Sequence, residues 1–165
     1  MGINLTLEAI YKMYVNDVYR YVYSLCKNKS QAEDIVQETF YRAYFYTEVL
    51  TDEKVKPWLF KVAYHTFIDE TRKAKKLTYS SEVEPLKTVR SAEAHYEVKE
   101  QIEVWTKVLD TLPFIQKNIV ILRDYYQFSY EEIAQTLGLT LANVKVTLFR
   151  ARKTIQEKME KEDFK

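Results

Sequence analysis

At 165 residues, 47% hydrophobic and 30% charged, the chain is long enough for one ordinary domain or two small ones, and its composition excludes a disordered or fibrous protein. One cysteine and two histidines exclude an internal disulfide and a self-built zinc site of the usual spacing. A net charge of +1 is too small for bulk electrostatics to hold the protein on DNA.

No apolar run approaches the roughly 18 residues of a membrane span, and "MGINLTLEAIYKMY" lacks the basic-then-apolar order of a secretory leader. The expected location is the cytoplasm. From Leu7 the residues Ile10, Tyr14, Val18, Tyr21, Val22 and Leu25 recur at helical spacing, with Thr6 placed to cap the helix and Cys26 expected in the core. "SQAE" offers Ser30 and Glu33 as a capping box for a second helix reaching about Tyr46. On that helix Asp34, Glu38, Tyr41 and Phe45 form one stripe, with Gln37 and Arg42 at its edges, while Val36, Phe40 and Ala43 point the other way. Acids beside aromatics suit docking of a basic protein; a solvated face with incidental aromatics is the alternative.

A third helix is expected from Pro57, a residue suited to a first helical turn. Trp58, Leu59, Phe60, Val62, Tyr64 and Phe67 make it apolar on most sides, more than one small core easily buries, and it ends in "RKAKK". Rings beside cations can stack unpaired bases and track phosphates; equally, the rings can be core and the cations can neutralise the helix C-terminus.

Residues 77–90, "LTYSSEVEPLKTVR", lose the periodicity and read as a linker. Helical spacing resumes near Ser91 and reaches Leu109, and Pro113 starts a helix through "FIQKNIVILRDYY". Ser129 and Glu132 form a capping box for a helix carrying Ile133, Ala134 and Leu137 inward. It ends at Gly138, where a positive φ costs little, Leu139 folds under as a core plug, and Thr140 caps the last helix. There Val144, Leu148, Ala151 and Ile155 share one face, with Ala142, Val146, Phe149, Arg150 and Lys153 roughly opposite. A helix, a glycine turn and a helix rich in basic residues fit a helix-turn-helix DNA reader, or merely an antiparallel helix pair. The expected architecture is all-α: two small helical domains, 1–76 and 91–165, joined by a flexible linker, with a helix-turn-helix in the second.

Four segments, "AEDIVQETFYRAY" (32–44), "KPWLFKVAYHTFIDETRKAKK" (56–76), "LDTLPFIQKNIVILRDYYQFSYEEIAQTLGLT" (109–140) and "VTLFRARKTI" (146–155), resemble the successive motifs of bacterial RNA polymerase sigma factors of the extracytoplasmic-function type. The resemblance covers almost the whole chain, with a linker where that family has one. It implies an alternative sigma factor whose first domain binds core polymerase and recognises the −10 element, and whose second recognises the −35 element. Asp34, Gln37, Glu38, Phe40 and Tyr41 would meet the coiled coil of the polymerase β′ subunit. The unpaired −10 strand would lie on segment 50–56 and the following helix, through Lys54, Lys56, Lys61, His65, Arg72, Lys73 and Lys76.

The second domain would dock on the β flap and read promoter DNA with Thr140, Asn143, Lys145, Val146, Phe149, Arg150 and Lys153. Of these, Arg150 best fits a guanine edge, since its guanidinium bridges two acceptors. Two departures from the family stand out: Val146 and Thr147 stand where a small polar or basic pair is common, and His65 stands where Asn is usual, which alters the donor and acceptor pattern and can make contacts pH dependent, or His65 is equally a structural residue. The resemblance also implies an anti-sigma partner, often membrane-anchored, and no catalytic residue, cofactor, metal or small-molecule substrate. The rival from another class is a stand-alone helix-turn-helix regulator, which accounts for residues 129–158 but leaves "DIVQETF" and the aromatic third helix unexplained. An enzyme finds no phosphate-cradling loop or metal-ligand cluster in the sequence, and an interaction adaptor remains the plainest alternative.

Overall fold

Thr6 opens the first helix as expected, its hydroxyl accepting the N–H of Ala9 at 3.2 Å. A computed structural model of the protein describes residues 6–46, 51–78 and 100–163, and among these it contains helices and no strand. The chain divides into two units, Met1–Arg90 and Ser91–Lys165.

In the first unit, α1 (Leu7–Cys26), α2 (Lys29–Tyr46) and α3 (Asp52–Thr78) each pack against the other two. Ile10, Val18 and Val22 of α1 meet Ile35 and Val36 of α2 and Leu59 and Phe60 of α3 in a buried centre. Tyr21 stacks on Phe60 with ring centroids 4.8 Å apart. Burying a side chain of the size of Leu59 or Phe60 is worth about 1.5–3 kcal/mol. The buried Thr39 hydroxyl donates back to the Ile35 carbonyl at 2.8 Å, so no polar atom is stranded there.

Two expectations are corrected in this unit. The cap of α2 is Asn28, whose side-chain oxygen accepts the Gln31 N–H at 2.9 Å; Ser30 already lies inside the helix. The left-handed Lys27 (φ 54°) ends α1 so abruptly that Asn28 is the first residue free to cap. Next, α3 starts at Asp52 rather than Pro57, with Asp52 and Glu53 in its first turn and the proline inside the helix. Of the two readings open for the α3 rings, the core one fits most of them: Phe60, Tyr64 and Phe67 are buried, as is Leu59, and Trp58 is half-buried. α3 accommodates them by packing on both α1 and α2. Cys26 is half-buried at the end of α1, its thiol donating to the Asn28 carbonyl at 3.3 Å and held above its ordinary pKa chiefly by burial.

The linker expected at 77–90 lies outside the described residues except for Leu77 and Thr78, which continue α3; residues 91–99 also lie outside. The second unit comprises α4 (Glu100–Asp110), α5 (Phe114–Val120), α6 (Tyr130–Leu137) and α7 (Leu141–Asp163), with α7 contacted by each of the other three. The helix expected to run from Pro113 through Tyr126 stops at Val120 and continues as a π-helical turn, Ile121–Tyr125. Tyr126 donates to the Ile121 carbonyl at 3.1 Å and Phe128 to that of Leu122 at 2.9 Å, while left-handed Gln127 (φ 61°) turns the chain so that Phe128 is buried. Among the described residues no helix is long and apolar enough to cross a membrane.

Candidate functional site

The geometry of α6 and α7 is fixed locally, residue by residue. The Arg123 guanidinium donates to the Phe128 carbonyl at 2.8 Å and lies 4.4 Å from the ring centre of Tyr130, anchoring the start of α6. The expected capping box is present: the Ser129 hydroxyl accepts the Glu132 N–H at 3.1 Å and the Glu132 carboxylate accepts the Ser129 N–H at 2.8 Å. Gly138 takes φ +68°, and the Leu139 N–H returns to the Ala134 carbonyl at 3.0 Å. Leu139 and Ala134 are half-buried, so the plug is partial. Thr140 then caps α7, its hydroxyl accepting the Asn143 N–H at 3.1 Å.

On α7 the residues Val144, Leu148, Ala151 and Ile155 are buried as expected. Thr140, Asn143, Lys145, Val146, Phe149, Arg150 and Lys153 are all exposed. Thr147 donates to the Asn143 amide oxygen at 2.8 Å, which turns the amide N–H₂ outward as a donor. Two basic residues of this segment serve the fold instead. Arg152 grips the Asp124 carboxylate of the π-helical turn, a hydrogen bond that raises its pKa, and Lys158 donates to the Thr111 hydroxyl at 2.6 Å. Lys145, Arg150 and Lys153 therefore carry the outward charge.

The first unit presents two further faces. On α2, Asp34 and Gln37 are exposed, Glu38 is half-buried and bonded to Arg42 at 2.9 Å, and Tyr41, Tyr44 and Phe45 are 63, 62 and 62% exposed. Phe45 meets both tyrosines edge-on, with centroids 5.3 and 5.4 Å away, making a preformed aromatic patch. Phe40, placed among the docking residues by the family resemblance, points away from the stripe as the helical spacing predicts: it is 7% exposed and packs edge-on against Tyr11 at 5.0 Å. Tyr44 was missed on the sequence, although its position beside Tyr41 and Phe45 was the available signal.

On α3, Lys54, Lys61, His65, Arg72 and Lys73 are exposed. Spacings of seven, four and seven residues place Lys54, Lys61, His65 and Arg72 in one stripe along the helix, about 27 Å long. Lys56 lies off it, half-buried, with its ammonium 3.4 Å from Asp17 and 6.0 Å from the Phe60 ring centre. The Lys76 side chain lies outside the described residues.

Two helical units, the second built around a glycine-turned helix pair whose outer helix is cationic, define a DNA-reading protein of the helix-turn-helix class. The chain matches Sigma-70 region 2 over residues 10–77 and Sigma-70 region 4 over residues 102–155. It is 39% identical to the ECF RNA polymerase sigma factor SigM of Bacillus subtilis, over 92% of this chain and 94% of that protein. It is 35% identical to the RNA polymerase sigma factor SigV of the same organism, over 89% and 87%. In fold it is similar to the sigma factor RpoE of Bartonella quintana, solved with the anti-sigma factor NepR, at a TM-score of 0.73 and 23% identity over 93% of this chain and 96% of that one. The chain belongs to the extracytoplasmic-function type of the sigma-70 family: it is an alternative sigma factor, which binds core RNA polymerase and directs promoter-specific transcription initiation. A stand-alone regulator would account for the second unit only, whereas these matches span both.

Proposed function

We propose that the sigma-factor role is divided among the three faces. The acidic and aromatic face of α2, with Asp34, Gln37, Glu38 and Tyr41, docks on the basic side of the polymerase β′ coiled coil, with Phe40 acting as its support. The stripe Lys54, Lys61, His65 and Arg72 on α3, with Lys73 beside it, tracks the unpaired −10 strand. In the second unit α7 enters the major groove of the −35 element through Lys145, Val146, Phe149 and Arg150, while Thr140, Asn143 and Lys153 face the flanking phosphates, and the unit docks on the β flap.

The supporting observation is where the chemistry lies on each face: α2 exposes Asp34 beside Tyr41, Tyr44 and Phe45, whereas Lys54, Lys61, His65 and Arg72 line one stripe of α3 and Lys145, Arg150 and Lys153 point outward on α7. A net charge of +1 suits a subunit that grips promoters only with its enzyme. The protein performs no chemistry itself and acts in the cytoplasm, where polymerase and chromosome are. An anti-sigma protein, of the kind with which RpoE was solved, is its partner and holds it inactive.

The direct test is co-elution with purified core polymerase. Wild type and Arg150→Ala are expected to co-elute equally, and Asp34→Lys/Glu38→Lys to lose at least ten-fold in affinity. Undiminished binding by the charge-reversed protein would remove α2 from the docking surface.

A further inference from the structure

The outward face of α7 is not simply cationic. Ala142, Val146 and Phe149 recur at spacings of four and three residues, are all exposed, and form a continuous ridge directly opposite the buried stripe. Val146 is 48% exposed and Phe149 70%, large apolar surfaces at the centre of a face whose flanks carry Lys145, Arg150 and Lys153. Among the described residues of the second unit they stay exposed, and the fold does not need them there, since Val144, Leu148, Ala151 and Ile155 already fill the core side.

We infer that this ridge reads thymine methyl groups in the major groove of the upstream promoter element. The inference rests on the proposed placement of α7 and deepens it by naming what Val146 and Phe149 recognise. Three properties favour that occupant. The cations around the ridge, Lys145, Arg150 and Lys153, suit a polyanion such as DNA, whereas an apolar protein partner offers them no counter-charge. The thymine C5-methyl is the apolar feature that the major groove displays, and side chains such as Phe contact it. The ridge is about 10 Å long, enough to meet neighbouring base edges within the groove. Arg150, four residues beyond Val146, lies alongside it, so the thymines adjoin the base pair that the guanidinium reads. Val146 has no donor or acceptor on its side chain, so at this position discrimination comes from the methyl contact alone.

The test uses the full-length protein with core polymerase on promoter duplexes in which each thymine of the upstream element is replaced, one at a time, by deoxyuridine, removing only the methyl. Wild type is expected to lose about four-fold in promoter affinity per contacted methyl, the value of one buried methylene-sized group. Val146→Ser is expected to lose sensitivity to uracil at one thymine and Phe149→Ala at its neighbour, with the other positions unchanged. Both side chains are exposed, so neither variant threatens the fold. Equal uracil sensitivity of wild type and both variants at every position overturns the inference, as does a loss of partner-protein binding by these variants without any uracil effect. Failure of wild type on the unmodified duplex overturns the placement of α7 itself and is seen before any base is changed.

Discussion

Gly138 is held at φ +68°, and a Cβ built there meets nothing within 4 Å, so backbone strain alone fixes the residue. Gly138→Ala is expected to cost about 1–2 kcal/mol, and Gly138→Asn less, in urea unfolding followed by Trp105 fluorescence. This position was legible because glycine is otherwise absent from the chain after residue 2, and a rare residue between two periodic segments points to its φ. The cap of α2 was not legible, since Asn28 and Ser30 are both good cap formers and the choice depends on the left-handed turn at Lys27, which no local pattern announces. Asn28→Ala is expected to lower stability by about 1 kcal/mol, while Ser30→Ala leaves it within about 0.5 kcal/mol. Equal effects of the two would return the cap to Ser30.

At the scale of elements, α7 could be read almost completely from the sequence because one face is strictly apolar and the other exposed. α3 resisted the same reading. Its buried residues Val55, Leu59, Phe60, Ala63, Tyr64 and Phe67 spread over a wide arc of the helix, so periodicity cannot separate core rings from base-stacking rings. Pro57 added to the error, because the proline preference for a first turn outweighed the acidic Asp52 and Glu53 that begin the helix. Phe60→Ala is therefore expected to destabilise the first unit by about 3–5 kcal/mol, whereas Tyr41→Ala on the α2 patch changes stability by less than about 0.5 kcal/mol while weakening polymerase binding. Unfolding curves and polymerase titrations of the two variants separate the roles. The π-helical turn after α5 had no sequence signal, because Ile121–Tyr125 keep helical spacing; Arg152 on Asp124 and Phe128 in the core hold it.

At the scale of the whole molecule, burial suppresses proton loss at several groups of the first unit. Cys26, Tyr64 and Tyr19 are all raised first by desolvation, with Glu33 adding to the effect at Tyr19. In the unfolded chain such groups ionise from about pH 8.5 for a thiol and about pH 10 for a phenol, whereas the folded unit keeps its protons higher. Their contribution is thus complete at neutral pH and is lost as pH rises through that alkaline range. The urea midpoint reported by Trp58, in a Trp105→Phe protein, is expected to fall between pH 7.5 and 10. A midpoint that does not change over that range would contradict this origin of alkaline sensitivity.

The division of the molecule into a polymerase-docking surface on α2 and a promoter-reading surface on α7 is tested most directly by run-off transcription. Sigma-free core polymerase is supplied with wild type, Asp34→Lys/Glu38→Lys or Arg150→Ala on genomic fragments. Wild type is predicted to give promoter-specific transcripts. The first variant loses them together with polymerase association, and the second loses them while still associated. Transcripts that survive the α2 charge reversal, or their absence with wild type alongside duplex binding by the protein alone, would contradict the account.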